Sequence, residues 1–286
     1  MSEETTSAYF VKKRRKQTTS GSGDDDLSAQ VAFQPTLSNS TFGGAITMLP
    51  SKFYAKPCHE LAKALLGKIL VRQLPGGELL KGRIVETEAY PGETDRASHS
   101  FKGKTPRNAA MYAKAGTAYV YFIYGMYHNL NVSALEPGAG VLIRGVEPTE
   151  GIETMRTLRK SGEQLRVHQL CNGPGKICQA FSILTATHNF HDLTAGQELW
   201  LEEGIPSEQD VPMDVVEASR IGIAGYGAEW AQKLWRYYVR DSEHVSKRDK
   251  AQELKQFRKN AQGTSSNKKT SQERSRKLSA EGLDER

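Results

Sequence analysis

The chain has 286 residues, 37% hydrophobic and 25% charged, enough for one or two domains. Its net charge of +6 is uneven: residues 1–50 carry five basic and five acidic side chains, residues 51–240 carry 22 and 20, and residues 241–286 carry 12 and 8. A nearly neutral centre argues against a uniformly basic nucleic-acid coat, and the lack of any apolar run of about 18 residues argues against a membrane span. Cys58, Cys171 and Cys178 are odd in number and match no zinc spacing, which fits a reduced intracellular setting.

In chain order, residues 1–45 are rich in Ser, Thr, Gly and charge and read as a disordered tail, because they bury too little to offset the entropy of ordering. Within them VKKRRK, residues 11–16, reads as a nuclear-import signal, with a phosphate-binding arm as the alternative. Glu3 and Glu4 ahead of that run argue against a secretory signal. Residues 46–240 then read as a single domain with one sizeable core. Apolar spacing predicts a helix from His59 to Leu66, stopped by Gly67. Strands follow at Ile69–Leu74 and Leu79–Tyr90 around a PGGE turn. A polar loop leads to a short helix near Asn108–Lys114, a hairpin over residues 118–133 with Gly125 and Met126 at its tip, and a strand at Gly140–Val146. Helices are predicted at Glu150–Lys160, Pro174–Leu184, Asp214–Ser219 (with Asp214 as cap) and Ala228–Leu234, and strands at residues 198–203 and 236–240. The pattern is α+β, a curved, mainly antiparallel sheet flanked by helices. Residues 241–286 read as a second, basic disordered tail, adding salt-sensitive attraction to phosphates.

The chemistry concentrates between Gly82 and Asn131, with Arg144 on the strand that follows. In GRIVETEAY, residues 82–90, strand parity puts Ile84, Glu86, Glu88 and Tyr90 on one face and Arg83, Val85, Thr87 and Ala89 on the other. In the hairpin Tyr119, Tyr121 and Ile123 share a face, with Val120 and Phe122 expected in the core. Tyr124, Met126 and Tyr127 project at its tip, an exposure that makes sense for a wedge inserted between DNA bases. Arg144 is an ionic partner for Glu88, and an ionised carboxylate is suited to take a proton from water. CNGPGKIC, residues 171–178, lacks a full phosphate-loop pattern but offers Lys176 to a backbone phosphate. RIGIAGYGAEW, residues 220–230, follows no predicted strand and is not read as a dinucleotide site. His188 and His191 read as surface residues, and no metal set or cofactor motif is found. Two other readings remain open: a carbohydrate hydrolase using Glu86 with Glu88, and a nucleic-acid binder without chemistry.

GRIVETEAY, the His99 loop, TPRN at 105–108, YVYFIYGMY with Asn131, VLIRGVEP at 141–148 and NGPGKICQA at 172–180 resemble, in this order, the alkyladenine DNA glycosylase family, also called 3-methyladenine or N-methylpurine DNA glycosylases. The resemblance spans Leu49 to Arg240. It implies a monofunctional enzyme, without strand-cleaving lyase activity, that flips a damaged purine (3-methyladenine, 7-methylguanine, hypoxanthine or ethenoadenine) out of duplex DNA and hydrolyses its N-glycosidic bond, starting base excision repair. Glu88 is implied as the base that activates water, helped by Arg144 and the main-chain carbonyl of Ile221. Tyr90, His99, Tyr121, Asn131, Ala97 and Leu142 are implied as the base pocket, Asn131 excluding guanine's amine. Tyr124 is implied as the inserted side chain, with Met126, Tyr127, Thr105, Arg107 and Lys176 on the DNA. It further implies a monomer acting on double-stranded DNA with no cofactor or metal; the basic run at 11–16 adds the expectation of a nuclear protein, and the tails, which match nothing in the family, are expected to offer repair-protein contacts. Ser98, His128 and Asn129 depart from the residues common in the family.

Overall fold

The computed structural model describes residues 48–160, 164–204 and 213–259; the expectations for residues 1–45 and for the end of the C-terminal tail lie outside them. Among the described residues, eight strands form one antiparallel sheet. They are β1 (Ile69–Gln73), β2 (Leu79–Tyr90), β3 (Ala118–Ile123), β4 (Tyr127–Ser133), β5 (Gly140–Glu150), β6 (Leu199–Glu202), β7 (Val215–Ala218) and β8 (Arg236–Val239). The order is β3-β4-β5-β2-β1-β6, with β8 joining β2 to β7. The helices are short: α1 (Ser51–Tyr54), α2 (Cys58–Ala64), α3 (Ile152–Leu158), α4 (Val167–Leu170), α5 (Pro174–Ala180), α6 (Thr185–His188) and α7 (Ala228–Ala231). This is the α+β architecture expected. The helices predicted near residues 59–66, 150–160, 174–184 and 228–234 are present but shorter than expected; near Asn108 the chain makes one 3-10 turn, Ala109–Tyr112.

Strand β2 organises the sheet. One edge pairs with β5 along its length; the other pairs with β1 over residues 79–83 and with β8 over residues 86–88. Residues 84–89 are consequently all buried, Glu86 and Glu88 included, at 0% exposure each. The main apolar core holds α2, Leu80, Ile84, Ala89, Val120, Leu130, Ile143 and Phe181. Ile84 and Ala89 share that core although they are an odd number of positions apart and strict alternation would put them on opposite faces. Register shifts against β5 between Ile84 and Thr87 switch the facing of the strand there. Simple alternation therefore misplaces Ile84 while keeping Glu86 and Glu88 together.

Three further expectations fail for physical reasons. Residues 214–219 contain strand β7, not a helix: the β-branched Val215 and Val216 pair with Val239 and Tyr238, and the edge of β8 outweighs the capping signal of Asp214. Phe122 is 47% exposed, because β3 runs past the core toward the hairpin tip, where the ring meets His128 instead. Residues 241–259, expected in a disordered tail, are packed against the sheet. Val245 is buried, residues 250–259 are helical, and the carboxylate of Glu253 accepts from Tyr238 at 2.9 Å and Arg248 at 2.7 Å. Polar anchoring orders this stretch, which apolar patterning does not register.

Candidate active site

One register row crosses five strands: Arg236 on β8 pairs with Glu88, Glu88 with Leu142, Leu142 with Asn131, and Asn131 with Tyr119. Directly paired residues share a face, so this row places an acid, an apolar residue, an amide and a phenol side by side. Above it opens a cavity of about 340 Å³ lined by Tyr90, Ala97, His99, Tyr121, Asn131, Leu142, Arg144 and Ile221, with Tyr124 at the rim. Its size falls in the small-ligand range of about 300–1,000 Å³.

Glu88 lies behind this wall. Its Oε2 accepts from the Tyr90 hydroxyl at 2.8 Å and its Oε1 from the main-chain amide of Ile221 at 2.8 Å. The contact that Ile221 makes to Glu88 is thus through its amide. Arg144 Nε is 3.4 Å from Glu88 Oε1 and 4.0 Å from Glu86 Oε1, and hydrogen-bonds to neither. Tyr90 is held from two sides. Its hydroxyl is tied to Glu88, and the guanidinium of Arg220 lies 4.6 Å from its ring centroid. Arg220 is in turn fixed by both oxygens of the buried Asp95, at 2.5 and 3.0 Å, and by the Ala89 carbonyl. Burial, and then the negative Glu88, push the Tyr90 phenol well above its ordinary range, so it remains a proton donor to the carboxylate.

The opposite wall is aromatic. Tyr119 and Tyr121 stack with centroids 5.2 Å apart, and the His99 ring meets Tyr121 edge-on at 4.6 Å. His99 Nδ1 is 3.0 Å from the Tyr119 hydroxyl. Desolvation, helped by the Arg107 guanidinium, lowers its pKa to about 4, so the ring is neutral at physiological pH. The TPRN turn sets this loop: Asn108 donates to the carbonyls of His99 and Gly103 and accepts from the Thr105 amide. Thr105 and Arg107 are exposed on it, with Arg107 5.8 Å from the Tyr121 centroid. Asn131 donates to the Tyr119 carbonyl, and Asn129 to the Tyr121 hydroxyl at 3.0 Å.

At the hairpin tip Tyr124 is 81% exposed with φ +55°, Gly125 has φ +68°, and the Met126 amide donates to the Ile123 carbonyl. A tyrosine in the left-handed region costs about 1–2 kcal/mol, so the turn holds an exposed aromatic ring outward against its backbone preference. Met126 (59% exposed) and Tyr127 flank it. Behind the hairpin α5 packs so closely that a Cβ on Gly175 would lie 3.2 Å from Tyr127. Lys176 on α5 is half-buried and donates to Asn172 at 2.7 Å.

Every residue assigned to the base pocket by resemblance meets at this cavity. Sequence reasoning missed Met111, Ile123, Pro174, Ile223 and Tyr226 in its lining and the Asp95–Arg220 pair behind Tyr90. The signal for the 219–226 loop was present in its glycines, but reading β7 as a helix hid that the loop leaves a strand. Glu86 is no partner for Glu88 in sugar hydrolysis: it does not line the cavity, and Arg236 donates to it at 2.7 Å. His188, expected at the surface, is 1% exposed. Among the described residues no group of His, Cys, Asp or Glu is arranged to hold a metal ion.

An aromatic cavity backed by a buried carboxylate and an arginine is laid out for bond cleavage at a flat ligand. The chain belongs to the Methylpurine-DNA glycosylase (MPG) family, whose model matches residues 52–243. It is 50% identical over 212 residues to the DNA-3-methyladenine glycosylase of Mus musculus, covering 72% of this chain and 63% of that protein. It is 48% identical over 217 residues to the Homo sapiens enzyme of the same name, covering 73% and 72%. A probable DNA-3-methyladenine glycosylase of Encephalitozoon cuniculi is 46% identical over 191 residues, covering 66% and 88%. The chain thus spans under two thirds of the mouse protein it matches.

Proposed function

We propose that the chain is a monofunctional DNA-3-methyladenine glycosylase that removes alkylated and related damaged purines at the first step of base excision repair. The observation that carries this is the buried Glu88, gripped by Tyr90 and Ile221 with Arg144 alongside, behind a cavity walled by Tyr90, His99 and Tyr121. The hairpin protrudes toward the duplex, and Tyr124 fills the gap left by the extruded nucleotide, with Met126 and Tyr127 beside it. Thr105, Arg107 and Lys176 meet the DNA backbone. The purine enters between Tyr90 and the His99–Tyr121 pair, and Asn131 rejects guanine's exocyclic amine.

Glu88 takes a proton as water adds to C1′, and the electron pair of the N-glycosidic bond leaves with the base. General-base help of this kind contributes about 10² to 10⁴ in rate. A ring-alkylated purine such as 3-methyladenine or 7-methylguanine is cationic, so it stacks strongly on the tyrosine faces and departs as a neutral base. Hypoxanthine and ethenoadenine depend instead on shape selection and on protonation as they leave. Among the described residues no lysine lines the cavity to act as a Schiff-base nucleophile, which supports hydrolysis without strand cleavage. The basic run at 11–16, outside the described residues, directs a monomer to the nucleus, and the tails contact repair proteins.

The test is a panel of duplex oligonucleotides, each with one of the four lesions, followed by alkaline cleavage at abasic sites. Base loss from at least one lesion, with no strand cleavage before alkali, is expected. Intact bases throughout, with correct folding, would overturn the assignment; cleavage without alkali would overturn the monofunctional part.

A further inference from the structure

Glu86 is the buried acid that the hydrolytic step leaves unused. It is fully enclosed, yet each oxygen is engaged from a different element. Oε1 accepts from Arg236 on β8 at 2.7 Å and lies 4.0 Å from Arg144 on β5; Oε2 accepts from the main-chain amide of Ser246 at 2.7 Å. Arg236 is immobilised further by the carbonyls of Ser219 and Lys247, at 2.7 and 2.8 Å. The segment around 246 presses on β5 beside Arg144: a Cβ on Gly145 would sit 3.0 Å from both the Glu86 Cβ and the His244 carbonyl. These contacts come from residues 244–248, just past residue 243, where the family match ends.

Arg144 Nε stands between the two carboxylates without a hydrogen bond to either. A lone guanidinium beside Glu88 would close on it and occupy the lone pairs that a water proton needs. We propose that Glu86, clamped by the Ser246 amide and Arg236, is a positioning residue that draws Arg144 off Glu88, so that residues 244–248 form the back support of the active site. This rests on the glycosylase reading, in which Glu88 is the base.

The experiment compares the full chain with Glu86→Gln and with Ser246→Pro, which deletes the amide donor and keeps the acid. Single-turnover base release, affinity for a duplex carrying an uncleavable abasic analogue, thermal unfolding, and the Arg144 Nε–H NMR resonance are measured on each. Expected is a loss in release rate of about 10- to 100-fold, by analogy with the loss when partners that orient metal-ligating side chains are removed, with analogue affinity retained. The Arg144 resonance should shift in both variants as its Nε–H moves onto Glu88. An unmoved resonance in folded variants overturns the proposal, as does a rate loss matched by the loss of folded protein. Should the unmodified chain release no base, the glycosylase reading fails, while the Arg144 resonance still decides whether Glu86 and Ser246 set this side chain.

Discussion

Replacing Glu88 with glutamine isolates charge from shape. The carboxylate accepts from Tyr90 at 2.8 Å and from the Ile221 amide at 2.8 Å, with Arg144 at 3.4 Å. A glutamine fits in one orientation: its oxygen stays toward Ile221 and Arg144, and its NH2 faces the Tyr90 hydroxyl, which rotates to accept. The fold and the cavity therefore persist. On the proposed mechanism, what disappears is the group that takes the proton, worth about 10² to 10⁴ in rate, or about 3 to 5 kcal/mol of barrier. Single-turnover release of hypoxanthine from a duplex, read by alkaline cleavage, should fall by that factor, while equilibrium binding to the same duplex, read by fluorescence anisotropy, is kept. Release at the unmodified rate would refute the assignment of Glu88. Loss of binding in step with release would show that its role is to hold the wall together.

Tyr124→Gly relieves about 1–2 kcal/mol of left-handed strain against about 0.5–1 kcal/mol of added chain entropy. Denaturant unfolding should show stability unchanged or slightly raised, whereas lesion-duplex affinity drops by the about 1–3 kcal/mol of one stacked base; retained affinity would remove Tyr124 from the wedge role. Arg220→Met strands the enclosed Asp95 and should cost about 3–5 kcal/mol in thermal unfolding, part of which returns when Asp95→Asn is added. Acid should also destabilise the fold through His188. Burial lowers its pKa from 6.5 to about 4, so the unfolded chain binds the proton that the folded chain refuses, and stability is lost as pH falls across that window. Between pH 7 and pH 5 the loss is about 2 kcal/mol; chemical denaturation at the two pH values, with and without His188→Gln, checks it.

The local signals were strong where local rules decide the outcome. Alternation and turn residues located β2 and the β3–β4 hairpin, and the resemblance gathered Tyr90, His99, Tyr121 and Asn131 into one pocket. Sequence spacing is silent on contacts made across the sheet. Asp95 and Arg220 are 125 positions apart, and Glu86 and Ser246 are 160 apart, so neither pair carries a periodicity. The misreading of Asp214–Ser219 shows how such errors propagate: a capping Asp outvoted two β-branched valines, and the loop after them lost its strand. Residues 241–259 were misjudged for another reason. Their order comes from Glu253, Tyr238 and Arg248 satisfying one another, and a composition rule weighs those side chains as solubilising charge.

The charges at the back of the cavity fall into two groups, Asp95 with Arg220, and Glu88, Arg144, Glu86 and Arg236 in alternation, with Tyr90 between Arg220 and Glu88. Three acids face three guanidiniums, so the wall carries no formal net charge, and two of the guanidiniums are tied to main-chain carbonyls, Arg220 to Ala89 and Arg236 to Ser219 and Lys247. Burying these ions is tolerable because each has its counter-ion, and all but Arg144 add hydrogen bonds to it. The same arrangement bears on selectivity. A wall with a net negative charge would hold any cationic base and turn away neutral ones; a neutral wall leaves that choice to the tyrosine faces, which attract a cation without repelling a neutral ring. On the proposed function, one site would then accept both charged and uncharged purine lesions, with the Glu88 carboxylate held before the base arrives by its bonds to Tyr90 and Ile221.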